Sequence, residues 1–144
     1  MIKDCFDKGL LRKTEKDAEA SKGSIKIARS FIEKAEANMK IGLHDVAFLM
    51  AYNSMFHSVK AFLFLQGISE RSHYCAIKYA VENISDEKIQ PVLEALDSYR
   101  VSRHRIQYDG EGMEKENAKE AVNDAKRLAD FIGNKTSHDK VDKK

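Results

Sequence analysis

The sequence predicts an all-α fold, an up-and-down bundle of four to six helices, on three observations. Apolar residues recur at intervals of three and four through most of its 144 residues, the spacing of a helix with one buried stripe. Breakers are scarce, with seven glycines and the single proline Pro91, whereas many short strands with tight turns would need more. Residues 44–66 are apolar almost all round, as befits a central helix covered on most sides.

Each element follows in turn. Residues 3–12 have the makings of a short extra helix. In "IKIARSFIEKAEANMKIG" the residues Ile25, Ala28, Ile32, Ala35 and Met39 form one stripe, and Gly42 permits a break. Gly23 leaves open whether that helix reaches upstream to Asp17. The central helix, "HDVAFLMAYNSMFHSVKAFLFLQ", ends at Gly67, a residue suited to the left-handed conformation of a C-terminal cap. After the loop "ISERSH" comes a shorter helix near residues 73–83. The next one starts either at Ser85, a good cap with Asp86 and Glu87 behind it, or nearer residue 90, since Pro91 belongs in a first turn. Ala118, Ala121, Val122, Ala125, Leu128, Ala129 and Ile132 share one face of the last helix, which Gly133 is expected to stop. Residues 1–133 thus read as a single domain, and 134–144, "NKTSHDKVDKK", as a polar, disordered tail.

Composition removes several functions. The 25 basic and 23 acidic residues leave a formal charge of +2, so any electrostatic site must be a local cluster. The N-terminus carries charges where a signal peptide needs an apolar core. Asn53, His57 and Lys60 interrupt the most apolar stretch, which argues against a membrane span. Cys5 and Cys75 fit no redox or metal spacing, and the expectation is two free thiols in a reducing cytoplasm. His73 and Cys75 form only an H-x-C pair, so no metal site and no cofactor are expected. Phosphate-cradling glycine loops are absent.

Two features remain as candidate sites. Asn53, His57 and Lys60 line one strip of the central helix, either near solvent or facing a polar cleft. The second is "SYRVSRHRIQY", residues 98–108, with Arg100, Arg103, His104 and Arg105 close together. At about 100° per residue, the inward seam of Ile89, Val92, Leu93 and Leu96 continues through Arg100, Arg103 and Gln107. Charges on a buried seam are costly unless paired or wet. Either the helix has outrun the core, or its end opens into a cleft or subunit interface where guanidinium forks can grip phosphate.

The run "AYNSMFHSVKAFLFLQGISERSHYCAI", residues 51–77, followed by "YRVSRHRIQYDG", residues 99–110, resembles the HEPN superfamily (higher eukaryotes and prokaryotes nucleotide-binding). The likeness is nearest to its small prokaryotic branch and spans roughly residues 20–133. It implies a helical bundle that pairs into a homodimer, and an R-x(4–6)-H motif that in ribonuclease members cuts RNA without a metal. It also implies a phosphate or nucleotide site and, for several small members, a toxin encoded beside a neutralising nucleotidyltransferase. Carried over, Arg103 takes the arginine position, His104 the polar position after it, and Tyr108 the place where many active members have histidine. Phenol titrates near about 10 and imidazole near about 6.5, so Tyr108 is a poor base at neutral pH. On a continuous helix it would also sit about 140° from Arg103.

Three functions follow as expectations. The first is a binding module that holds nucleotide or RNA phosphate through Arg100 and Arg103, with Asn53 and His57 as further contacts. The second is a metal-independent endoribonuclease toxin using Arg103 with His104 or Tyr108. The third is a non-catalytic helical interaction protein.

Overall fold

The computed structural model describes the backbone of residues 2–142 and the side chains of residues 2–137. Six helices lie among them: α1 (Ile2–Asp7), α2 (Ala18–Lys40), α3 (His44–Gln66), α4 (His73–Asn83), α5 (Gln90–Asp109) and α6 (Lys115–Asp142). The fold is helical, as the periodicity predicts. None of these helices is long and apolar enough to cross a membrane.

Helix α3 is the core of the bundle. It packs against α2 and α6 on one side and α4 and α5 on the other, which is why its sequence shows no polar half. Phe48, Tyr52, Met55, Val59 and Leu63 are almost wholly buried along it. Gly67 closes the helix in the left-handed conformation, at φ 70°. A Cβ there would come within 2.7 Å of the Thr14 carbonyl oxygen, so no other residue fits without moving the chain.

That close approach belongs to an element the periodicity missed. Strands β1 (Leu11–Lys13) and β2 (Ile68–Glu70) pair antiparallel, with Leu11 opposite Glu70 and Lys13 opposite Ile68. Three-residue strands are too short to leave an alternating pattern in sequence. Their pairing brings α1 against α4 and joins Cys5 to Cys75 in a disulfide, with a Cα–Cα separation of 5.8 Å. The expectation of two free thiols is therefore corrected. Seventy residues separate the cysteines, and no local spacing rule could have paired them.

The structure decides one helix boundary that the sequence leaves open and moves another. Asp17, not Gly23, sets the start of α2: its carboxylate accepts the Ala20 N–H at 2.9 Å. At the far end Gly133 does not stop α6, which runs on through Asp142. The stretch expected to be a disordered tail is thus helical through 142, and residues 143–144 lie outside those described. The cause is tertiary. Ser21 Oγ donates to the Ala61 carbonyl at 2.8 Å, so Thr136 Oγ1 must donate to Ser21 Oγ, also at 2.8 Å. Thr136 is buried by that contact, which ties the extra turn of α6 to α2 and α3.

Helix α5 starts at Gln90 with Pro91 in its first turn. Ser85 is not its cap; Asp86 instead accepts the backbone N–H groups of Lys88 and Ile89 in the preceding turn. The buried seam of α5 passes through Val92, Leu93, Leu96 and Ile106. Tyr99 joins it half-buried, its hydroxyl donating to Asp124 on α6 at 2.8 Å. Gln107, expected on the seam, is exposed.

Candidate functional site

The arginines lie where α5 passes the start of α4. Ser72 caps α4, its Oγ accepting the Cys75 N–H at 3.1 Å, so His73 and Tyr74 occupy the first turn. Unsatisfied N–H groups give that end a partial positive charge and suit it to anions. Across from it, Arg100 and Arg103 project from α5 and are half-buried. Ser72, His73, Arg100, Arg103, His104 and Arg105 line a shared cleft of about 530 Å³.

Aromatic rings hold the two guanidinium groups in place. Arg103 lies over Tyr52 of α3 with its Cζ 5.4 Å from the ring centroid, and Arg100 lies over Tyr74 at 5.3 Å. Arg100 also pairs with Asp97, Nε to Oδ1 3.2 Å. Among the described residues no carboxylate pairs with Arg103. A half-buried, aligned guanidinium without a counter-charge is costly unless an anion or water completes it.

Beneath Arg103 sits a pair not among the sequence candidates, Tyr52 and His73. The Tyr52 hydroxyl and His73 Nδ1 are 2.9 Å apart, and the His73 ring stacks on Phe56 at 3.7 Å. Burial, then Arg103 and Arg100, with smaller contributions from Lys60 and His57, push the His73 imidazole down to about 4. Burial also pushes the Tyr52 phenol up to about 12, against the pull of the two arginines. Both groups are therefore neutral at pH 7. The bond between them has two forms, Tyr52 donating to Nδ1 or Nδ1–H donating to the phenol oxygen. In the first form the imidazole N–H sits on Nε2.

The site makes a pH prediction with a definite sign. The folded-state pKa of His73 lies below its unfolded value, so the contribution of neutral His73 to stability is complete above about 6.5. It is lost as pH falls toward about 4, with a slope of at most about 1.4 kcal/mol per pH unit for one proton. An NMR titration should find His73 near 4, moving upward in Arg103→Ala and on saturation with phosphate. A value close to that of free histidine, unmoved by Arg103→Ala, would mean that the arginine does not face it.

The remaining candidates fall elsewhere. His104 and Tyr108 are exposed and contact each other, with ring centroids 4.8 Å apart. Helix α5 continues unbroken to Asp109, so Arg103 and Tyr108 do not converge within one chain. Tyr108, 64% exposed, is not among the residues lining the cleft. Asn53 and His57 do not line it either. The His57 ring stacks on Phe31 of α2 at 5.7 Å, and its Nδ1 is buried without a partner. Burial and Lys60 push its pKa down. Arg105 and Val101 also line the cleft. Cys75 is committed to the disulfide, and among the described residues no group of three or more His, Cys, Asp or Glu side chains gathers as a metal site would need.

Fold and cleft together define a small helical-bundle protein with paired arginines over a neutral Tyr–His pair. The HEPN-domain family model matches residues 10–135, and the chain belongs to that family. A crystal structure of an archaeal HEPN homologue superposes with a TM-score of 0.64 at 22% identity, covering 81% of this chain and 97% of that one. That likeness is one of fold. A comparison with curated proteins gives no significant match.

Proposed function

We propose that this HEPN protein is a binding module that grips the phosphate of a nucleotide or RNA in the arginine cleft. The observation that carries the reading is Arg103, half-buried over Tyr52 and ion-paired with no carboxylate among the described residues, though Asp109 also lines the cleft. A guanidinium fork held this way matches two phosphate oxygens, and the start of α4 adds backbone donors. In this reading two copies pair with their clefts facing, since the exposed Val101 and Tyr108 border the arginines. The chain then acts in the cytoplasm with a separately encoded nucleotidyltransferase, as several small members of the family do. Cytoplasmic reductants are compatible with the disulfide, because both cysteines are at most 3% exposed and exchange needs attack on an accessible sulfur.

Geometry favours binding over cleavage. A base poised for 2′-hydroxyl attack should titrate near the working pH. His73 titrates far below it, while Tyr108 points away from Arg103. Purified protein incubated with end-labelled bulk tRNA in excess chelator should therefore retard the RNA and leave it intact. Cleavage that survives chelator would establish the ribonuclease instead. Neither retardation nor cleavage would leave the interaction-protein reading.

A further inference from the structure

The arginine cleft does not end at Tyr74. The same ring also lines a groove of about 300 Å³ between α4 and α5, together with Ile77, Lys78, Val81, Glu94 and Asp97. Its volume is at the lower end for small-molecule sites, about 300–1,000 Å³. Tyr74 thus belongs to both depressions. It is 44% exposed, and Arg100 lies over its ring at 5.3 Å.

The two sides differ in chemistry. One offers guanidinium groups and helix N–H donors. The other is lined by the apolar Ile77 and Val81, by Lys78, which can donate to a ligand's acceptors, and by two carboxylates, Glu94 and Asp97, one turn apart on α5. Asp97 uses one oxygen to fix Arg100 Nε at 3.2 Å, so it couples the two halves. Carboxylates only accept hydrogen bonds when ionised, and a ligand edge placed against Glu94 and Asp97 must carry donors. Among nucleobases, guanine presents two adjacent donors on one edge, N1–H and the 2-amino group, which match the two oxygens of a carboxylate.

We propose that this groove is the nucleoside half of a guanylate site whose phosphate half is the arginine cleft. Tyr74 is the shared wall on which the base stacks, and Glu94 and Asp97 read its donor edge. The assignment rests on the phosphate reading of the cleft and adds to it a ligand class, guanosine phosphates or the guanosines of an RNA strand.

The test is calorimetric titration of the full chain with GMP, AMP and inorganic phosphate, for wild type, Tyr74→Ala, Tyr74→Phe and Glu94→Gln. GMP should bind more tightly than either phosphate or AMP. Loss of the stacking ring in Tyr74→Ala should weaken GMP about tenfold and phosphate far less, through the lost Arg100 contact alone, while Tyr74→Phe keeps both. Glu94→Gln should reduce the preference of GMP over AMP. The proposal is overturned if GMP binds no better than phosphate, if Tyr74→Ala weakens both ligands equally, or if it changes only the oligomeric state. Phosphate binding without a GMP advantage would end this inference alone. Binding of neither ligand would end the phosphate reading as well.

Discussion

Arg103→Ala should lower affinity for single-stranded RNA and for inorganic phosphate by about tenfold to a hundredfold, with the melting temperature almost unchanged. The magnitude follows from losing charge-assisted hydrogen bonds worth about 1.5–3 kcal/mol in all, at about 1.4 kcal/mol per factor of ten. The small stability effect follows from what Arg103 touches. Its contact with the Tyr52 ring contributes about 0.5–1 kcal/mol if it behaves as an exposed cation–π pair. Removing a half-buried charge without a counter-ion recovers desolvation cost and offsets that loss. Arg103→Lys keeps the charge but loses the fork, so it should fall between wild type and alanine. The salt dependence of RNA binding should lose about one unit of slope in Arg103→Ala. His104→Ala, at an exposed position on the rim, should change RNA affinity less. A large fall in melting temperature with unchanged RNA binding would make Arg103 a structural residue and remove the cleft's claim to phosphate.

The difference between what the sequence discloses and what it hides has a physical basis. Helix α3 is legible to the residue, 44–66, because an apolar run that long, closed by glycine, has few other solutions. The arginines on the α5 seam are legible as an anomaly, since two charges occupy positions that periodicity reserves for the core. Their surroundings are not. Tyr52 reads as one more large residue of an apolar helix, and only the packing of α4 on α3 brings His73 to its hydroxyl. The usable signal was the serine–histidine pair opening a helix after a short loop, a position where polar side chains gather around unsatisfied N–H groups. Helix α6 shows the opposite failure. Gly133 is a fair stop signal locally, but the Thr136–Ser21–Ala61 chain of hydrogen bonds overrides it.

The Cys5–Cys75 bond should be the largest single covalent contribution to stability. Closing a loop across 70 residues restricts the unfolded chain by about 4 kcal/mol on the chain-entropy estimate. The bond is also placed where few other contacts hold. Helix α1 has six residues and buries only Cys5, far less than a helix needs to persist by packing. Its remaining anchors are Ile2 and Phe6, half-buried against the core with Phe6 edge-on to Tyr79 at 6.4 Å, the backbone bonds of its turn and the β1–β2 ladder. Cys75 lies in the first turn of α4, two residues after His73, so loosening it also reaches the cleft. Cys5→Ala/Cys75→Ala should therefore unfold at a denaturant concentration corresponding to about 2–5 kcal/mol less stability. In hydrogen exchange, protection should be lost first in residues 2–13 and at the start of α4, while α2, α3 and α6 keep theirs. Equal loss across the whole bundle would mean that the N-terminal segment is no separate unit, and an unchanged midpoint would mean that the β1–β2 ladder alone holds it.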